Sequence, residues 1–345
     1  MQEKVMEQSC RQAPALAENP APQKTDRLAQ SFDSIRKYMF ITGSALLVFI
    51  ALRNSLTWHL QRFWGASGNF WQYRWEQVYD YWEGDAWTLA VIGTVVVTTI
   101  PYWLFASMFL FIDYTGKPAF LLKYKTQPEK NAPVDPVRFR NAILTVIFNQ
   151  TVFSVPFICV MYHIYTWRGV DFGRELPTFQ WVIFELVVFN LVEEFGFYYT
   201  HRTLHHPALY KHIHKLHHEW TAPISVISLY AHPVEHILSN MLPPMLGPLI
   251  MGSHIATSWL WFVIALLSTN VAHCGYHFPL LPSPEAHDFH HLKFTNNFGV
   301  LGVLDRLHGT DEQFRASKAY QRHFMLLSLT PVSQQFPDSP KKKSE

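Results

Sequence analysis

Long stretches without a formal charge alternate with short polar segments along this chain, a pattern that predicts helices of membrane length. Ala86–Ile112 carries no charge and is bounded by Asp85 and Asp113, and Asn141–Thr166 is equally uncharged. Both exceed the roughly 20 residues that a crossing helix needs. Pro101, inside the first, is tolerated in a membrane helix with a kink. Phe179–Tyr199 is a third apolar block, yet it holds Glu185, Glu193 and Glu194. Carboxylates are expensive in a bilayer and mark a helix that faces a polar site. Ile224–Pro284 has Glu235 as its one formal charge and is broken by Pro243, Pro244, Gly247, Pro248 and Gly252. It predicts a helical hairpin over Val234–Met251 and Ile255–Ala272.

The first apolar run, Tyr38–Leu52, is short. It reads either as a span extended past Arg53 to Leu60, with the arginine reaching for water, or as a helix on the membrane surface. Arg53–Trp87 then gathers Trp58, Trp64, Trp71, Trp75, Trp82 and Trp87. Amphipathic rings collect at headgroup level, so this stretch is expected at the interface. Residues 1–35 are polar and aperiodic, the expectation for a disordered tail, and residues 311–345 form a second polar tail. The basic loop with Lys117, Lys123, Lys125, Lys130, Arg138 and Arg140 is expected on the cytosolic side. The loop from Arg168 to Glu175 then lies in the lumen. Both termini share the cytosolic side. The expected fold class is all-α: a multi-span membrane helical bundle with a cytosol-facing histidine-rich site.

Composition agrees. Only 16% of the 345 residues are charged, against 49% hydrophobic, where soluble domains carry roughly 25% charge. A net charge of +2 points to no nucleic-acid partner. Cys10, Cys159 and Cys274 are scattered, which implies neither a disulfide framework nor a thiolate zinc site.

The histidines change the picture. Of 19 in the chain, most lie between His201 and His291. On a helix, residues four apart share a face and residues three apart nearly do. His201 and His205 can therefore point together, as can His214, His217 and His218. His287, His290 and His291 repeat that spacing, and His273 with His277 forms another four-residue pair. Neutral rings crowded at such spacing carry lone pairs that need partners, and metal ions satisfy them. So many nitrogens exceed one tetrahedral zinc site; two metals of higher coordination number fit better. No H-E-x-x-H occurs, against the common zinc protease pattern.

From His201-Arg-Thr-Leu-His205-His206-Pro207 onward, the chain resembles the fatty acid hydroxylase superfamily of membrane di-iron enzymes. That family's boxes, H-x3-H-H, H-x2-H-H and a final H-x2-H-H, all occur here in order. Leu209–Glu219, Tyr230-Ala-His-Pro-Val-Glu235 and Phe289-His-His with Asn296-Asn297-Phe298-Gly299 resemble its sterol C4-methyl oxidase branch. The resemblance covers roughly residues 141–310, the expected catalytic domain, with 36–140 as membrane helices and interfacial segment before it. His308 departs from the family's closing motif, and His236 is an extra histidine. The chain also looks like the family's "fatty acid hydroxylase domain-containing" members.

The resemblance implies two iron ions, held by His201, His205 or His206, His214, His217, His218, His273, His277, His287, His290 and His291. Imidazole also binds zinc, which a structure could carry. Glu193 and Glu194 either hold the second nitrogen of a ligand or merely end a helix near water. His232, Glu235 and His236 are expected beside the ligands or in a pocket wall, with Asp288 and Asn297 as further neighbours. The implied reaction is oxygen-dependent attack on a lipid C–H bond, a sterol or a fatty acyl chain, most readily C4-methyl oxidation in sterol synthesis. A desaturase of the same family is the near alternative. A divalent-metal transporter or a non-catalytic scaffold is the alternative of another class. The resemblance implies cytochrome b5 or its reductase as the electron donor; no dinucleotide fingerprint is present, so nicotinamide is not expected to bind this chain directly. Lys342 and Lys343 resemble a dilysine signal for retrieval to the endoplasmic reticulum.

Overall fold

The computed structural model describes residues 24–131 and 133–338. The dilysine residues and the first part of the expected N-terminal tail lie outside them. The chain divides at Ser67/Gly68 into two units. Within the first, the described residues are helical from Lys24, so the polar residues just before Tyr38 are helix rather than tail. Ser31–Arg53 is long and apolar enough to cross a membrane, and none of its most apolar stretch is buried. The helix as a whole is α1, Lys24–Tyr81.

The second unit is built from helices, and no strand occurs among the described residues. Its principal helices are α2 (Thr88–Thr115), α3 (Pro136–Arg168), α4 (Phe179–Leu204), α5 (residues 233–251), α6 (Ile255–His273), α7 (Glu285–Lys293) and α8 (Val303–His308). With Ser31–Arg53, the helices α2, α3 and α6 are long and apolar enough to cross a membrane. This is a multi-pass membrane protein. Helices α4 and α5, both expected as crossings, are not in that set. Three carboxylates lower the apolarity of α4, and prolines and a π-helical turn over residues 236–241 interrupt α5.

Local chemistry sets the helix ends. Asp135 accepts the Arg138 N–H at 2.8 Å, with Pro136 in the first turn of α3. Gly169 and Gly252 end α3 and α5 in the left-handed conformation. His254 then caps α6 through Nδ1, which accepts the Ala256 N–H at 3.1 Å. The hairpin of α5 and α6 thus turns where its glycine and histidine direct it. Helix α5 packs closely on α4 because Gly247 has no side chain: a Cβ there would lie 2.9 Å from the Cα of Phe189.

Two stretches differ from their expected setting. Trp75 is buried, its Nε1 donating to the Gly173 carbonyl at 3.0 Å beside Trp259 and His254, so it is a core residue rather than an interfacial one. The basic loop after α2 folds as a strap along residues 275–277 and reaches α7 at Asp288. Thr126 N donates to the Gly275 carbonyl at 2.9 Å, and His277 N donates to the Tyr124 carbonyl at 2.8 Å.

Candidate metal centre

Nine imidazoles converge in two groups. His201, His205, His214, His218 and His290 form the first; His217, His273, His287 and His291 form the second. Within each group the nitrogen atoms lie within 4.8 Å of one another. The two H-x2-H-H boxes are used in mirror fashion. His214 and His218 serve the first group while His217 turns to the second. His287 and His291 serve the second while His290 turns to the first. Adjacent residues therefore face different groups, which a 3-10 turn at 217–219 and helix α7 make possible.

Backbone carbonyls fix the rings. Nδ1 of His201 donates to Phe298 O at 2.8 Å, His217 to Tyr230 O at 3.1 Å, and His273 to Thr269 O at 2.8 Å. His290 donates to Asn296 O at 2.6 Å and His291 to Trp220 O at 3.0 Å. A carbonyl only accepts, so the proton of each neutral ring sits on Nδ1 and the lone pair on Nε2. Nδ1 of His214 lies 2.9 Å from the buried Glu235 carboxylate.

The Nε2 atoms face one another. The His201–His214 and His290–His218 pairs are 3.1 Å apart, and His214–His218 3.0 Å. In the second group His287–His273 is 2.8 Å and His291–His287 3.2 Å. Lone pairs this close need either protons or cations. Burial opposes protons: it holds His217 down at about 4 and His205 at about 2, and pushes His214, His218, His287, His290 and His291 well below the ordinary value. Two metal ions, one per group, fit this donor set.

His206 is exposed and outside both groups; its Nδ1 caps the turn Pro207–Tyr210 by accepting the Ala208 N–H at 3.3 Å. His232 does the same for α5, accepting the Val234 N–H at 3.3 Å. His277 is buried apart from the groups, between Glu285 at 3.3 Å and the Phe324 carbonyl at 2.9 Å. Glu194 touches no imidazole. Its oxygens accept the backbone N–H groups of Val300 (2.8 Å), Leu301 (2.7 Å) and Leu304 (3.0 Å). Asp288 binds Thr126 and Gln127 of the strap, and burial pushes its carboxyl up to about 7. Asn297 donates to Ala286 O at 2.9 Å. His236 meets Ser154 Oγ at 2.8 Å.

His236 and Glu193 line a cavity of about 610 Å³ that reaches from Thr94 and Trp261, among the membrane helices, to His273 and His287. A second space of about 30 Å³, roughly one water's share, lies between the groups, walled by His201 and His214 on one side and His217, His273 and His287 on the other. Phe197, Ser228, Ser239, Asn240 and Thr269 border both spaces. Reading for charge alone passed over the cavity's polar lining, which includes Thr98, Gln150, Asn190 and Asn240. Uncharged polar residues inside otherwise apolar blocks were the available sign.

Residues 186–310 match the family model described as fatty acid hydroxylase. The human "Fatty acid hydroxylase domain-containing protein 2" is 54% identical over 93% of this chain and 96% of its own length. "Fatty acid hydroxylase ahd1" of Mycosarcoma maydis is 36% identical, over 69% of this chain and 62% of its own. "Methylsterol monooxygenase 2-2" of Arabidopsis thaliana is 32% identical over 68% and 90%. No solved structure matches.

Proposed function

The chain belongs to the fatty acid hydroxylase family, and from that premise we propose that it is an oxygen-dependent oxidoreductase that holds two iron ions and hydroxylates a membrane lipid. The observation that carries this reading is the cavity. It is walled by helices of membrane length and reaches His273 and His287, so a lipid held in it meets the histidines without crossing water. The finer reading is C4-methyl oxidation of a sterol. It rests on the sterol-oxidase-like segments at 209–219 and 230–235 and on the methylsterol monooxygenase relative. A fatty acyl substrate is the second reading, favoured by the relative named for fatty acid hydroxylation.

A C–H bond offers no acidic proton and no leaving group, so bound iron would supply the redox chemistry that side chains lack. The protein's share is positional. His201, His205, His214, His218 and His290 would hold one ion, and His217, His273, His287 and His291 the other. The carbonyls behind the rings keep Nε2 unprotonated and aimed. The buried Glu235 carboxylate, 2.9 Å from His214 Nδ1, stands behind that ring. The buried walls keep bulk water from both groups. Thr98, Gln150, Asn190 and Asn240 offer hydrogen bonds that orient a polar group on an otherwise apolar substrate.

We place the site on the cytosolic face of the endoplasmic reticulum membrane, where cytochrome b5 or its reductase would deliver electrons. The basic loop after α2 supports that orientation. The test is a sterol and fatty-acid profile of cells lacking this protein, rescued by wild type or by His217→Ala with His218→Ala. Accumulated 4-methylsterols that only wild type clears support C4 oxidation. A different accumulating precursor keeps the oxygenase and replaces the substrate; a product with a new double bond makes it a desaturase. Rescue by the double variant removes the enzyme reading and leaves a scaffold.

A further inference from the structure

The segment between Phe298 and Thr310 has an unusual way of satisfying its backbone. Phe298 N and Gly299 N donate to Asp305, at 2.8 and 2.7 Å, and Val300, Leu301 and Leu304 donate to Glu194. Both carboxylates are buried. Five amide groups that an exposed loop would leave to water are thus bound from inside. The segment turns four large apolar side chains outward, Val300, Leu301, Val303 and Leu307, the last 73% exposed, beside the exposed polar residues Arg306 and His308. Irregular backbone survives against lipid only when its polar groups are satisfied within the protein.

The neighbouring surface is continuous with it. Along α4, Phe184, Val187, Leu191 and Phe195 are exposed at spacings of three and four, one stripe of the helix. Tyr199 continues the stripe, and its hydroxyl meets Nε2 of His308 at 3.0 Å, so α8 lies beside the end of the stripe. Arg202 and Arg306 flank the junction, Arg202 donating to Tyr198 Oη at 2.8 Å and Arg306 to Asp311 at 2.7 Å, and both stay exposed at the surface. The segment also borders the large cavity: Gly299, Val300, Leu301 and Arg306 line it, and three of these are exposed.

We propose that residues 299–308 are seated in the bilayer interface and form the entrance through which lipid passes into the cavity. The proposal rests on reading that cavity as the substrate pocket. Glu194 and Asp305 hold the lip in shape, and Leu301 and Leu307 face the acyl chains.

Two measurements on the full chain in phosphatidylcholine vesicles test it. A nitroxide is placed at Leu307→Cys, with Cys10→Ser and Cys159→Ser as background. Its collisions with oxygen should exceed those with a water-soluble nickel chelate, and a nitroxide at Lys130→Cys should show the reverse. The second measurement is photolabelling of the cavity by a diazirine-bearing sterol carried in the vesicles. Leu301→Asp with Leu307→Asp should slow labelling about tenfold while the metal content stays that of wild type. A Leu307 label as open to the chelate as the Lys130 label overturns the seat. A lipid-buried label with undiminished photolabelling in the double variant overturns the entrance. Wild type that sits in lipid yet admits neither the sterol nor a diazirine fatty acid overturns the entrance together with the substrate-pocket reading, and leaves the membrane seat standing.

Discussion

Neighbouring histidines in this chain do different work. His205 joins the first group, while His206 caps a turn; His273 joins the second, while His277 ties a loop to Glu285. Metal content should separate them. His206→Ala and His277→Ala should keep the wild-type metal load, measured on purified protein, whereas His273→Ala should lose at least one ion. Glu235→Ala should weaken metal binding by about 10–100-fold in a chelator competition, the usual cost of removing a ligand's partner. Spacing showed which histidines could share a face. It could not show which nitrogens would be taken by backbone, because capping at His206, His232 and His254 depends on where each helix starts. Two of those three precede proline, which favours the first turn of a helix, so the sign was present.

Protonation follows from the same burial. His217 and His205 stay neutral down to about 4 and about 2, while an unfolded chain's histidines titrate near 6.5. Between those values the unfolded state binds more protons. The stability these histidines contribute to the metal-free protein is therefore complete above roughly pH 6.5 and is lost as pH falls toward the folded values, at about 1.4 kcal/mol per unit for each such group. Its melting temperature should be flat from about pH 7 to 8 and drop steeply below about pH 6.

Among the elements, α4 holds the most varied roles. Glu193 lines the cavity, Glu194 holds the segment before α8, and His201 closes the helix at the metal centre. Glu194→Ala would leave three backbone N–H groups without their carboxylate acceptor, about 1 kcal/mol or more in total; a lower melting temperature in detergent would show it. Gly247→Ala would press a methyl group into Phe189 and cost about 1–3 kcal/mol, read in the same melt. The uncharged blocks at α2, α3 and α6 were legible because length and apolarity suffice for a span. Glu194 was recognisable as an inward carboxylate, yet its partners are amides more than a hundred positions along the chain, which no local pattern reports. The strap reaching α7 was hidden for the same reason: a basic composition identifies a loop but not what it touches.

At the scale of the molecule, helices of membrane length converge on one cavity, and its far end is the second histidine group. Thr98→Trp should fill part of that space, leave the metal load intact and, on the proposed function, lower kcat/KM for a lipid substrate by tenfold or more, as steric loss of a pocket predicts. The cavity was the least legible feature, since its walls come from separate helices whose polar residues look incidental one at a time. The mirrored boxes carry one more consequence. His217–His218 and His290–His291 are dipeptides whose two rings belong to different groups, so each peptide bond yokes the two groups. Seating the first ion orders half of the cage for the second. Anaerobic addition of iron to the stripped chain should therefore be cooperative, with the half-loaded form scarcely populated, and the chain should behave as a device that is either empty or armed.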